Sequence, residues 1–299
     1  MNFDIEMNQV TVRYGDVEAL KNISMKLAYG KLYGLLGRNG AGKTTLLSLL
    51  GSFLEPTFGT VRIGGMEVFD NEKLMPLVTF IYDSGTRDEH ETVKGMLETA
   101  ERYRPTFDRE YANYLVSRFQ LQLDQPMKQL SKGQQAAARV TIGLANRSPI
   151  TILDEAYLGM DAPTREFFYK ELLEDHSRNP RTVILSTHHV SEVEHLFEEV
   201  IILHRGSILL QETMDQVLEC GLSVTGDAQA VDAFVDGMRV LHTEQLGGTK
   251  RAMVYGKLSD DQLLEASRRG VEIGPVSLQH LFIHLTEGRK KDEVYKHLS

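Results

Sequence analysis

Residues 37–45 read Gly-Arg-Asn-Gly-Ala-Gly-Lys-Thr-Thr, between the apolar stretches Leu32-Tyr33-Gly34-Leu35-Leu36 and Leu46-Leu47-Ser48-Leu49-Leu50. An apolar run, a glycine-rich loop closing on Lys-Thr and a second apolar run predict the strand, phosphate-binding loop and helix of G-x-x-x-x-G-K-[ST]. Gly37, Gly40 and Gly42 let successive backbone N–H groups turn toward one anion, and the helix N-terminus adds partial positive charge there. Lys43 reaches the β- and γ-phosphates of a nucleoside triphosphate as a point charge, and the Thr44 hydroxyl is a hard oxygen suited to Mg²⁺. Arg38, Asn39 and Ala41 complete the loop, and Thr45 serves helix packing or a further phosphate contact. A chain built around this loop is expected to fold as a phosphate-loop NTPase of the α/β class.

The rest of the chain supplies the sheet such a loop requires. Ile150-Thr151-Ile152-Leu153, Thr182-Val183-Ile184-Leu185 and Val200-Ile201-Ile202-Leu203 are short apolar strands, separated by a helix from about Thr164 to Asp175 and another from Ser191. Apolar strands alternating with amphipathic helices predict a parallel sheet covered on both faces. Ahead of the loop, Ile5–Val12 and Leu20–Leu27 alternate around Tyr14-Gly15-Asp16, and residues 59–69 repeat that hairpin character with Gly64-Gly65 at the turn. These runs predict an antiparallel β-subdomain. Residues 85–146 take up helical spacing broken at Pro105 and Pro126, which predicts a helical insertion. The domain reading is therefore 1–213 for the NTPase and 216–299 for a small C-terminal α+β module. The tail order β-α-β-β-α-β-α, with a capping box at Ser259 and Gln262, suggests a split βαβ unit of ferredoxin-like type.

Composition narrows the partners. The net charge is −9 and no basic run is long enough for a phosphate-backbone footprint, so nucleic acid is a poor expectation. The single cysteine, Cys220, permits no internal disulfide and reads as a packing or loop residue. The opening Met-Asn-Phe-Asp-Ile-Glu has no basic or apolar leader character, and no apolar run is long enough to span a bilayer. Work at a membrane would require another chain to do the spanning. The mixed charge run at 287–293 reads as a solvated face.

Three further segments carry chemistry. Leu130-Ser131-Lys132-Gly133-Gln134 precedes a helix-forming run, with Ser131 as its N-cap, and makes a second anion-binding helix start. The strand at 150–153 runs into Asp154-Glu155, a carboxylate for Mg²⁺ beside one able to polarise an attacking water. Ser186-Thr187-His188 places an imidazole at the carboxyl end of another strand, where α/β sheets hold ligands. His189 and His195 have no acidic or cysteine partner at ligand spacing and read as surface residues.

In this order and combination, residues 1–213 resemble the ATP-binding cassette family. The resemblance implies that Tyr14 stacks on adenine, Gly37–Thr45 binds the phosphates of ATP, and Thr44 with Asp154 holds Mg²⁺. It implies Glu155 as general base, His188 as a γ-phosphate contact and Gly159-Met160-Asp161 as a dimer-contacting segment. Ser131, Gly133 and Gln134 would grip the γ-phosphate held by the opposite subunit. Two ATP molecules would thus be sandwiched between two chains, in a homodimer or a heterodimer with a second cassette. A separate transmembrane permease subunit would be the partner, with the chain peripheral on the cytoplasmic face.

The chain departs from the family in two places. Where the family carries a glutamine that touches Mg²⁺ and water, this sequence has Phe80-Ile81-Tyr82-Asp83, and no glutamine occurs between Gln9 and Gln120. Asp83 is expected to offer oxygen to the metal or to water, without the amide donor. Ala156-Tyr157 replaces the usual Pro-Thr after the base. The run Pro275–Thr286 resembles the closing helix of cassettes serving drug, peptide-antibiotic and other ABC-2-type exporters, which makes an exporter motor the first functional expectation. A soluble cassette that remodels DNA or ribosomes, or a nucleotide-gated regulator, is the alternative; the intact Lys43, Asp154, Glu155 and His188 argue against a regulator that has lost hydrolysis.

Overall fold

A computed structural model describes residues 3–83, 85 and 90–296, with side chains to residue 287. The chain divides into two compact units, Met1–His188 with Leu196–Ile208, and His189–His195 with Leu209–Ser299. The division falls inside the last strand of the NTPase sheet, a few residues before the boundary read from sequence.

In the first unit, β1 (Ile5–Tyr14) and β2 (Val17–Leu27) form a hairpin. Their alternation puts Ile5, Met7, Val10, Val12, Leu20, Ile23, Met25 and Leu27 on one buried face. β3 (Leu32–Leu36) follows, then α1 (Lys43–Leu50), then β4 (Phe58–Ile63) and β5 (Met66–Glu67). β1, β2, β4 and β5 make one antiparallel sheet in the order β2-β1-β4-β5, with Gly64 and Gly65 turning β4 into β5.

Next come β6 (Val78–Ile81), α2 (Val93–Tyr103), α3 (Arg109–Arg118), α4 (Lys132–Ala145), β7 (Ile150–Asp154), α5 (Ala162–Arg178) and β8 (Thr182–Thr187). Thr92 and Asp108 cap α2 and α3 by accepting from the N–H groups of Gly95 and Tyr111. β9 (Glu199–His204) and β10 (Ser207–Thr213) close the sheet, and α6 (Val190–Val193), a single turn, belongs to the second unit. The order is β10-β9-β3-β8-β7-β6, with the pairs from β9 to β6 all parallel. Every residue of β3, β7 and β8 is buried, which is why these strands read as continuous apolar runs rather than alternating ones.

The register of this sheet sets the site. Leu36 of β3 pairs with Thr187 of β8, and Asp154 of β7 pairs with Ser186 of β8. Three carboxyl ends therefore finish at one level, where an open parallel sheet holds ligands.

The second unit holds α7 (Met214–Cys220), β11 (Gly221–Asp227), α8 (Ala228–Val235), β12 (Val240–Leu246), β13 (Thr249–Tyr255), α9 (Asp260–Arg269), β14 (Glu272–Pro275) and α10 (Leu278–Lys296). Its sheet runs β12-β13-β11-β14 with every neighbour antiparallel, the strand arrangement of a split βαβ unit. Val224, Val231, Phe234, Ala252, Val254, Ala266 and Val271 form its core. α10 continues past Thr286 because the charged run that follows contains good helix formers; beyond Glu287 the side chains of that run lie outside the described residues. Cys220, at the end of α7, is half-buried, and burial raises its thiol above the ordinary value, as for an inert packing cysteine.

Candidate active site

The loop after β3 enters α1 through Gly42 at φ +106°, where a Cβ would sit 2.8 Å from the Ala19 carbonyl oxygen. Only glycine meets both conditions. The Lys43 ammonium is buried and donates to the Gly37 carbonyl oxygen at 2.7 Å, curling over the loop it follows. The loop lines a cleft of about 790 Å³ together with Tyr14, Asp154, Glu155 and His188. Tyr14 is at the last position of β1 with 53% of its surface exposed, so its ring is available to a base at the cleft mouth.

Asp154 has both oxygens engaged. Thr44 donates to Oδ2 at 2.8 Å, and the buried Ser186 hydroxyl donates to Oδ1. The same Ser186 oxygen accepts from the Glu155 N–H at 3.1 Å. Glu155 itself holds φ +50°, a left-handed conformation that a non-glycine residue adopts at a cost of order 1 kcal/mol. This kink at the strand end turns the Glu155 side chain back toward the loop. Its carboxylate is 3.5 Å from the Lys43 Nζ through Oε1, and the Nδ1 of His188 lies 2.9 Å from Oε1 and 2.8 Å from Oε2. A carboxylate only accepts, so Nδ1 carries the proton of that imidazole.

The Thr44 and Asp154 oxygens suit a small hard cation. Mg²⁺ binds oxygen at 2.0–2.1 Å in octahedral geometry, so neighbouring ligand oxygens stand about 2.9 Å apart. Thr44 Oγ1 and Asp154 Oδ2 stand at 2.8 Å. Among the described residues no group of three or more His, Cys, Asp or Glu side chains is placed to hold a metal.

A sequence family described as ABC transporter matches residues 20–158. Residues 20–158 form an ABC transporter ATP-binding domain. Over 215 residues the chain is 26% identical to the ABC transporter ATP-binding protein YtrB of Bacillus subtilis, covering 72% of this chain and 74% of that one. It is 28% identical over 218 residues to the lantibiotic transport ATP-binding protein SrtF of Streptococcus pyogenes, covering 71% and 91%. Relatives of the same identity include import ATP-binding proteins as well. A solved ATP-binding subunit of an ABC transporter superposes with a TM-score of 0.65 at 24% identity, over 71% of this chain and 91% of that chain. ABC cassettes are ATPases, and this cassette carries their fold.

The remaining expected residues stand elsewhere in the cassette. Ser131 caps α4 and shares a capping box with Gln134: each backbone N–H donates to the other's side-chain oxygen, at 3.0 and 3.2 Å. Neither residue, nor Gly133, lines the cleft of its own chain. A Cβ on Gly133 would stand 2.7 Å from the Gly159 carbonyl oxygen, so the start of α4 packs directly on the Gly159-Met160-Asp161 segment.

Asp83, expected to offer oxygen to the metal or to water, is not among the residues lining the cleft; its carboxylate pairs with the mostly buried Arg139 of α4 at 3.1 Å. Two side chains were passed over in the sequence reading. Ser186 is next to last in an apolar strand, and a buried polar group there needs partners; it finds Asp154 and Glu155. Tyr157, noticed only as a departure, hydrogen-bonds Glu155.

Proposed function

We propose that this chain is the ATP-hydrolysing motor subunit of an ABC exporter, acting on a separate membrane-spanning subunit through an ATP-sandwich dimer. The observation that carries the reading is the convergence of Lys43, Thr44, Asp154, Glu155 and His188 on one cleft. In this reading Gly37–Thr45 cradles the phosphates, Tyr14 stacks on adenine, and Thr44 with Asp154 holds Mg²⁺. Bound there, Mg²⁺ spreads the phosphate charge that builds up during transfer. Lys43 neutralises the β- and γ-phosphates and Glu155 takes a proton from the attacking water, while His188 steadies the Glu155 carboxylate and faces the γ-phosphate.

Ser131, Gly133 and Gln134 serve the ATP of the opposite subunit, whether an identical chain or a second cassette. Their placement away from the cleft of their own chain supports that division of labour. Hydrolysis separates the γ-phosphate from the β-phosphate and weakens the clamp, so the pair opens. Among the described residues no helix is long and apolar enough to cross a membrane, so the conduit is assigned to a partner and this chain to its cytoplasmic face. The outward direction rests on the exporter-like run Pro275–Thr286 and on the likeness to a lantibiotic transport protein.

The test is a tagged pull-down from detergent-solubilised membranes of the native host, using Glu155→Gln with ATP to hold the closed pair. A stoichiometric polytopic membrane protein is the expected result, and inside-out vesicles carrying it should accumulate cargo when given ATP. Recovery of the chain alone, or with ribosomal or DNA-repair components only, contradicts the reading.

A further inference from the structure

We propose that Tyr157 is a positioning residue for Glu155, fixing which carboxylate oxygen faces the cleft. The proposal rests on the reading of Glu155 as general base. Tyr157 is fully buried, with its hydroxyl 2.9 Å from Glu155 Oε2 and 2.6 Å from Thr187 Oγ1. The proton order along this chain is set by chemistry: a carboxylate accepts only, so the phenol donates to Oε2 and its oxygen accepts from the Thr187 hydroxyl. Burial raises the phenol well above its ordinary value; the Thr187 bond opposes that shift, and the Glu155 charge adds to it. The group therefore stays a neutral donor across any working pH.

The ring cannot drift. It is enclosed by the core and meets the Tyr169 ring edge-on, with centroids 6.1 Å apart. Thr187 is the last residue of β8, and its register opposite Leu36 ties the hydroxyl relay to the strand that carries the phosphate loop. A phenylalanine would fill the same space without burying a hydroxyl, so the hydroxyl is retained at this depth through the two partners it meets.

The two oxygens of Glu155 are thus pulled in different directions. Lys43 stands by Oε1, and Tyr157 holds Oε2. His188 Nδ1 spans both and does not choose between them. With Oε2 held from the protein interior, Oε1 is the oxygen left toward the phosphate loop, and it is the one assigned to take the proton. Glu155 depends on this hold because its kinked backbone ends a strand and its side chain carries several free torsions. A misplacement of order 1 Å at a catalytic group can cost about 10²-fold in rate.

The test is steady-state ATP turnover of the full chain with Mg²⁺, comparing the parent, Tyr157→Phe, Thr187→Val, Glu155→Gln and the double variant Tyr157→Phe/Glu155→Gln. Tyr157→Phe is expected to lower kcat by ~10- to ~100-fold with KM for ATP within about twofold, because it removes alignment and no nucleotide contact. Thr187→Val, which removes the hydroxyl behind the phenol, is expected to lower kcat in the same direction by a smaller factor. In the Glu155→Gln background Tyr157→Phe should add no further loss.

A kcat within about twofold of the parent for Tyr157→Phe, a rise in KM matching the fall in kcat, or an undiminished effect in the Glu155→Gln background each overturns the inference. If Tyr157→Phe fails to fold, Thr187→Val decides by the same criteria. A parent that hydrolyses ATP and loses that activity in Glu155→Gln, yet tolerates the Tyr157 and Thr187 changes, overturns this inference alone. A parent without turnover when its membrane partner is present overturns the motor reading and this inference together.

Discussion

Replacing Ser186 by alanine removes one hydroxyl that serves both halves of the Asp154-Glu155 pair. The side chain is fully buried, donates to Asp154 Oδ1 and accepts from the Glu155 N–H at 3.1 Å. A hydrogen bond to a charged group contributes about 1.5–3 kcal/mol, and a backbone N–H left without its acceptor costs about 1–3 kcal/mol. Glu155 borders the cleft, so water can reach part of the vacated position and the lower half of the second range applies. The expected loss is about 2.5–5 kcal/mol for the cassette. At roughly 2–4 °C per kcal/mol for a domain of this size, the melting transition should fall by about 5–20 °C in scanning calorimetry. The Asp154 carboxylate, no longer held from behind, also loses its fixed orientation toward Thr44. Turnover should therefore drop by ~10- to ~100-fold, with a larger Mg²⁺ concentration needed for half-maximal rate. A variant melting within about 1 °C of the parent and turning over at the parent rate would show that Ser186 neither supports nor aims this pair.

Asp83→Asn should leave the Mg²⁺ concentration for half-maximal turnover within about twofold and shift melting by no more than about 4 °C, because the Asp83 carboxylate is solvent-exposed and water screens its pairing with Arg139 to about 1 kcal/mol. A tenfold-higher Mg²⁺ requirement would return Asp83 to the metal. Asp175→Asn strikes a buried cluster in which Asp175 pairs with Arg147 and, at 2.6 Å, with Arg181. Removing the charge leaves Arg181 buried without its counterion and should cost about 3–5 kcal/mol in urea unfolding; a loss below about 1 kcal/mol contradicts the account. Burial, with the His242 ring stacked at 4.1 Å, holds His284 below its ordinary 6.5. The unfolded chain then takes up the proton first, so the C-terminal unit loses stability as pH falls below 6.5 and is unaffected above it. Hydrogen exchange of the β12 and β13 amides should accelerate between pH 7.5 and 5.5 beyond the intrinsic pH effect, and His284→Gln should remove that excess.

The phosphate loop, the parallel strands and the helix caps were legible because each is set by local chemistry. Gly37–Thr45 carries its own signature, β3, β7 and β8 are apolar throughout, and Ser131 and Ser259 announce their helices through capping boxes. The split βαβ order of the tail was also readable, since Gly247-Gly248 marks the β12–β13 turn and Ser259 caps α9. Partner choice across the sheet was not. Whether Asp83 faces a metal or Arg139 depends on partners far apart in sequence, and whether the Tyr157 hydroxyl reaches Glu155, two residues before it, depends on the left-handed backbone at Glu155 and on rotamers. α10 runs beyond Thr286 because the charged residues that follow are good helix formers, a signal that apolar spacing alone does not carry.

The most direct test of the central claim measures bound nucleotide and released phosphate on the same samples of the parent, Lys43→Ala and Glu155→Gln, with Mg²⁺ and the membrane partner present. The account predicts that Glu155→Gln binds ATP as the parent does while phosphate release falls by ~10²- to ~10⁴-fold, and that Lys43→Ala loses binding. Glu155→Gln releasing phosphate at the parent rate would contradict it.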